Sequence, residues 1–305
     1  MHAAALTAVL FSLVAFAAPT PRSSAPTDTE ILQYALTLEN LENDFYHGGL
    51  SKFSAEDFKN AGFPSWVRDR MAQIGEHEAQ HVALLSGALG TAAPAPCQYS
   101  FPYTDPKSFV TLSSVLESVG VSAYLGAAAS INEKAYLTVA GSILTTEARH
   151  QGWVSSAALE GPGWSGPEDT PLDFNEVTAS SSSISYADAP QVYSLATQFI
   201  TSCPASNPPL PFKAFPTLAV ASDGTLTYSG SADGQYLLIV AGLTSKTFPI
   251  TNGKVTLPSD IQGFAYGVVT SQQDATMVSD DNIIAGPAIL DYPFNSKVGN
   301  PAAAL

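Results

Sequence analysis

A chain of 305 residues leaves room for two domains, and a hydrophobic fraction of 45% is enough for real cores. A net charge of −15, with only 12 lysines and arginines, argues against nucleic acid and anionic membranes as partners. Two cysteines, Cys97 and Cys203, leave at most one intramolecular disulfide.

Residues 1–17 read as a secretory signal, with an apolar run at 6–16 and an Ala15-Phe16-Ala17 cleavage pattern, although only the amine and His2 supply the basic start. No later stretch reaches about 20 apolar residues, so the mature protein is expected to be soluble and extracellular, with no membrane contact after cleavage. In that compartment Cys97 and Cys203 pair, the alternative being two unrelated buried thiols. No Asn-x-Ser/Thr sequon occurs.

Residues 18–28 are a flexible Pro/Ser/Thr leader. Thr29 or Asp28 then caps a helix to about Gly48, with Leu32, Ala35, Leu36, Glu39 and Tyr46 on one stripe. A short helix starts at Ser54-Ala55-Glu56-Asp57 and stops near Gly62-Phe63-Pro64. A long one follows, over about 64–89, aligning Met71, Ile74, Glu78, His81, Val82 and Leu85. Asp105-Pro106 opens the next, to about Ser130, with Val110, Ser113, Glu117, Val121 and Tyr124 together. Another, over about 133–159, aligns Ala140, Ile143, Glu147, His150 and Val154 before Gly161-Pro162-Gly163. A Gly/Pro/Ser-rich crossover, 161–186, leads to a fifth long helix at 188–203, capped by Asp188-Ala189-Pro190.

Past Pro204 the texture changes. Short β-branched and aromatic runs alternate with Ser-Asp-Gly, Ala-Asp-Gly and Thr-Asn-Gly turns, the pattern of a small antiparallel β-sandwich-like domain over 204–305. Every glutamate lies at or before Glu176 and every histidine at or before His150. Chemistry needing those side chains therefore belongs to the helical domain, 29–203, whose core is 29–160. The β-rich domain packs, spaces, or binds a wall or protein partner.

Four motifs carry the chemistry. Glu78-Ala79-Gln80-His81 and Glu147-Ala148-Arg149-His150 both read Glu-x-x-His. Residues three apart share a helix face, so each pair can hold one ion. Glu39 and Glu117 each stand seven residues before a tyrosine, Tyr46 and Tyr124, which completes a two-fold repeat of helix pairs. Four carboxylates on apolar faces each cost several kcal/mol unless neutralised. Two divalent cations would do so, with Glu78 and Glu147 bridging, Glu39 and Glu117 terminal, and His81 and His150 completing the set. Oxygen-rich ligation with limited nitrogen suits iron or manganese, with zinc as the alternative. Tyr46 and Tyr124 are donors to the ligands, redox relays, or large core side chains with satisfied hydroxyls. Glu42, Glu76 and His77 fall off the main stripes, either solvated or touching the ligands, and His47 beside Gly48-Gly49 is a helix-end residue.

With Leu36-Thr37-Leu38-Glu39-Asn40-Leu41-Glu42, Phe45-Tyr46, His77-Glu78-Ala79-Gln80-His81-Val82, Leu116-Glu117-Ser118-Val119-Gly120 and Glu147-Ala148-Arg149-His150, residues 29–160 resemble the ferritin-like superfamily. The match is to its secreted branch of fungal stress-response and sexual-development proteins and plant desiccation-related proteins. The resemblance implies an α+β chain: a ferritin-like four-helix bundle with an added fifth helix, then the β-rich domain. It also implies the ligands of a carboxylate-bridged dinuclear Fe or Mn centre, but little about a substrate. A pair of such ions can take up two electrons together, so the expected chemistry is redox with dioxygen or hydrogen peroxide, as an oxidase, peroxidase or catalase-like oxidoreductase. A non-catalytic metal-binding or wall-associated stress protein is the alternative. His77-Glu78-Ala79-Gln80-His81 also fits the zinc-protease signature His-Glu-x-x-His, but Leu84 and Gly87 stand where an extended form needs Gly and a third His, and Glu147 and His150 would be unexplained.

Overall fold

Thr27 starts the first helix. Its hydroxyl accepts from the Glu30 amide while the Glu30 carboxylate reaches back to the Thr27 amide, satisfying two donors that a helix start leaves free. In this computed structural model, which describes residues 26–172, 197–209, 215–229, 235–259, 261–273, 283–292 and 294, the helix that follows is α1, Asp28–Lys52. The signal and leader residues before 26 lie outside the described residues. The same reciprocal cap, Ser54 with Asp57, opens the short α2, Ala55–Asn60. α3 spans Ser65–Leu89 and ends at Gly90, whose φ of 55° a side chain would resist. Asp105 and Ser108 cap α4, Pro106–Ala127, and α5 spans Lys134–Trp153 with a π-helical turn continuing it, Val154–Ala158.

α1 does not stop at Gly48, as the Gly48-Gly49 pair suggested; it continues to Lys52. These glycines serve close packing. A Cβ on Gly49 would lie 2.1 Å from the Phe109 ring, and one on Gly48 would lie 2.8 Å from the Tyr103 hydroxyl. Phe109 in turn stacks on Phe45, ring centroids 4.8 Å apart. Gly49→Ala should therefore destabilise the protein by about 1–3 kcal/mol through overpacking, despite alanine's higher helix propensity. Urea unfolding of wild type and variant checks the sign; a gain in stability would mean that Phe109 moves freely.

α1 packs along α3 and α4 along α5, and the two pairs meet through α1 and α4. Asp28 ties the pairs at one end, accepting from the Asn132 and Glu133 amides just before α5. α4 with its 3-10 extension, Pro106–Ser130, is apolar enough by length and mean composition to cross a membrane, although Lys107, Glu117 and several serines interrupt it. It is instead the inner helix of the bundle, 67% of that window being buried.

Only the C-terminal end of the helix expected over 188–203 falls among the described residues. There residues 197–199 form one 3-10 turn and β2, Ile200–Ser202, pairs antiparallel with β1, Gln98–Tyr99. The Cys97–Cys203 disulfide closes this pairing. A strand partner and a covalent tie to the loop after α3 override a local pattern that alone admits a helix. The fifth helix of the described N-terminal region is the short α2.

Small antiparallel sheets follow. β3, Ala219–Val220, pairs with β4, Leu226–Thr227. β5, Tyr236–Ala241; β6, Thr244–Pro249; β7, Gly263–Thr270; and β8, Ile283–Tyr292, form one sheet in the order β6-β5-β7-β8. Its core is Leu237, Ile239, Ala265, Val269 and Ala285. Tyr266 of β7 points the other way, joining the helical core with its hydroxyl 2.9 Å from Ser122 Oγ on α4. The chain is thus an α+β arrangement, with the sheets fastened to the outer face of α4.

Candidate metal centre

Each long helix brings its acidic or imidazole side chains inward for a local reason. Glu39 and Glu117 sit among the apolar stripes of α1 and α4; Glu78 with His81, and Glu147 with His150, occupy successive turns of α3 and α5. All four glutamates are fully buried, and His81 and His150 are 9% and 5% exposed.

The six side chains converge in two overlapping sets. Glu39, Glu78, His81 and Glu147 present ligand atoms within 4.8 Å of one another, as do Glu78, Glu117, Glu147 and His150. Glu78 and Glu147 belong to both. His81 Nδ1 lies 3.2 Å from Glu39 Oε2, 3.1 Å from Glu78 Oε2 and 3.0 Å from Glu147 Oε1. His150 Nδ1 lies 3.2 Å from Glu78 Oε1 and from Glu117 Oε2, and 3.9 Å from Glu147 Oε2. Glu78 and Glu147 therefore each turn one oxygen to each imidazole.

Protons cannot satisfy this arrangement. One imidazole N–H donates one good hydrogen bond, yet three carboxylate oxygens crowd each Nδ1. Glu78 Oε1 and both oxygens of Glu147 are buried with no hydrogen-bond partner among the described residues, close to nitrogens but not aligned with them. Such oxygens are costly to bury unless a cation sits between them. The donor set, four carboxylates and two imidazoles, fits two divalent ions.

The electrostatics say the same. Burial, reinforced by the surrounding carboxylates, pushes Glu147 and Glu42 well above the ordinary carboxylate range. Burial also carries Glu39 up to about 7, against the pull of His81. Glu78 goes the other way: despite its burial, His150 and His81 hold it at about 2. Burial opposes charge on the imidazoles, but Glu39 and Glu78 lift His81 to about 10, and Glu117 and Glu78 lift His150 to about 9.

The tyrosines cross between halves. Tyr46 of α1 donates to Glu117 Oε1 on α4, and Tyr124 of α4 donates to Glu39 Oε1 on α1. Sequence had placed each near the glutamate of its own helix. Burial, with the charge of the accepting glutamate, raises both hydroxyls well above their usual range, so they remain neutral donors. Tyr46→Phe should weaken the ion at Glu117 and Tyr124→Phe the ion at Glu39, each by about 10–100-fold. Metal titration of the two variants checks this, and an effect at the glutamate on the tyrosine's own helix would contradict it.

Glu42 is a buried member of the cluster, 4% exposed; its place three residues after Glu39 was the available signal. Glu76 and His47 are exposed and outside both sets. His77 stands behind His150, its Nδ1 2.8 Å from His150 Nε2, and joins neither set. A zinc-protease site would need His77 beside His81 on one ion, and this placement does not supply it.

Residues 27–160 match the family model described as Ferritin-like domain, and this region of the chain is a ferritin-like domain. The chain is also similar to Protein rds1 of Schizosaccharomyces pombe, 28% identical over 270 residues that cover 85% of this chain and 62% of that protein. It thus spans less than two thirds of the curated relative's length. The likeness thus places a ferritin-like domain at 27–160 and a fungal protein among the chain's relatives.

Proposed function

We propose that the bundle holds two iron or manganese ions, bridged by Glu78 and Glu147, and uses them in redox chemistry with dioxygen or hydrogen peroxide. The convergence of two imidazole nitrogens and four carboxylates in two overlapping sets carries this reading. When bound, a pair of ions a few ångströms apart can take up or release two electrons together. Glu39 with His81, and Glu117 with His150, would hold the outer side of each ion. Tyr46 and Tyr124 fix the terminal carboxylates by hydrogen bonds and keep their protons while doing so. Full burial of the four glutamates favours a small oxidant such as dioxygen or hydrogen peroxide over an organic substrate.

The disulfide is consistent with an oxidising, extracellular setting, and we assign the protein to secretion on that ground and on the apolar N-terminal run. The sheets, without glutamate or histidine past Glu176, are assigned a spacing or partner-binding role. Elemental analysis of protein from its native host, followed by peroxide-decay and oxygen-uptake assays, tests the proposal. Two ions per chain with turnover support it. Two ions without turnover make the protein a metal binder, and no metal refutes both.

A further inference from the structure

Two of the differences between the halves of the bundle fall at the same metal position. The separation that carries Glu39 to Glu117 and Tyr46 to Tyr124 carries Glu42 to Gly120. The separation that carries Glu78 to Glu147 and His81 to His150 carries His77 to Thr146.

Glu42 faces its own counterpart. Its Oε1 lies 3.2 Å from where a Cβ on Gly120 would stand, and Glu147 Oε2 lies 3.5 Å from that same point. Glu147 Oε2 is the oxygen turned toward His150. The missing side chain of one half thus makes room for the extra carboxylate of the other, beside the second ion position. Glu42 is 4% exposed and takes part in none of the hydrogen bonds or ion pairs among the described residues. A buried carboxylate without a partner is strongly unfavourable unless a cation lies near.

His77 marks the same position independently. Its Nδ1 meets His150 Nε2, the ring nitrogen turned away from the carboxylates, with the two rings 14° from parallel. A metal-bound imidazole is oriented by the partner of its other nitrogen. At the equivalent place in the other half, Thr146 spends its hydroxyl on the Ser142 carbonyl.

We propose that the two metal positions are inequivalent, the one at Glu117, Glu147 and His150 being the tighter because Glu42 and His77 serve it alone. This rests on the dinuclear reading above. Glu42 stands outside the six converging residues, so it acts as added negative charge beside Glu147 and His77 as a positioning residue for His150. One position then retains its ion while the other exchanges.

The test is calorimetric titration of the chelator-treated full chain with Mn2+, and with Fe2+ under nitrogen. Wild type should bind two ions with dissociation constants about 10–100-fold apart. Glu42→Gln keeps the shape, removes the charge, and should bring the tighter constant toward the weaker one. His77→Ala, at an exposed position, should weaken the tighter ion and spare the other; it decides alone if Glu42→Gln fails to fold. Equal constants in wild type, or variants that change neither ion or both alike, overturn the inequivalence while leaving the dinuclear centre intact. One ion or none in wild type overturns the dinuclear reading itself, and the inequivalence with it.

Discussion

Glu78→Ala and Glu147→Ala are each expected to leave the protein with a small fraction of its wild-type metal. Either substitution removes a carboxylate whose two oxygens reach both imidazoles, so both ion positions lose a ligand at once. The terminal residues make the contrast. Glu39→Ala and Glu117→Ala each touch one set only and should spare the other ion. Stability should separate the two variants when measured with and without metal. With metal supplied, the variants should melt below wild type, because an ion that binds only the folded state stabilises it by mass action. In chelator Glu147→Ala should melt at or above wild type, because one member of a mutually repelling, buried carboxylate cluster has gone. Glu78→Ala should still melt below it, because His81 and His150 lose the carboxylate that they hold charged. In a zinc protease Glu78 would be the general base. Glu78→Ala would then abolish turnover with zinc still bound, and Glu147→Ala would be silent. Metal content per folded chain for both variants distinguishes the two, and a full complement in either would sink the bridging assignment.

Replacing Cys97 and Cys203 together by serine should cost about 2–4 kcal/mol of unfolding free energy, approaching the ~4.7 kcal/mol that chain entropy predicts for a closed loop of about a hundred residues. The bond spans a sequence separation of 106 and encloses α4, α5 and the crossover after them. Without it, the two halves of that loop are joined locally by a two-residue strand pairing and a few contacts. These include Ser202 Oγ donating to Gln98 Oε1 and the Asn207 side chain bridging the Ala95 amide and carbonyl. Such exposed hydrogen bonds contribute little each. Guanidinium unfolding of wild type and of the double variant measures the difference. A loss below about 1 kcal/mol would mean that the β1–β2 contacts hold the loop unaided. Metal stoichiometry should be unchanged in the folded variant, because neither cysteine adjoins the six converging residues.

Much of the helical region was legible because its signals are local. A period of 3.6 residues puts Glu78 with His81 and Glu147 with His150 on shared faces, and Ser54-x-x-Asp57 and Asp105-Pro106 mark helix starts by their own side chains. Even there, Thr27 rather than Thr29 or Asp28 is the first cap, because only Thr27 stands three residues before a glutamate that can reach back. The Gly48-Gly49 pair misleads for a different reason. Glycine ends helices where φ turns positive, but it also sits inside them where another ring comes close, and only Phe109 and Tyr103 distinguish the two cases.

The sequence by itself determined the four long helices of the bundle and the short α2, which face of each long helix carries Glu39, Glu78, His81, Glu117, Glu147 and His150, and that a repeated helix pair is followed by strands. Those are properties of spacing along one helix or strand, and spacing is written in the chain. The tertiary structure decided that Tyr46 reaches Glu117 and Tyr124 reaches Glu39, that Glu42 is buried against Gly120, that His77 backs His150, and that residues 200–202 pair as a strand with 98–99. Each of these depends on how α1 lies against α4, α3 against α5, or a distant loop against a disulfide. Residues far apart in the chain meet only when whole elements pack, and no local pattern encodes that choice.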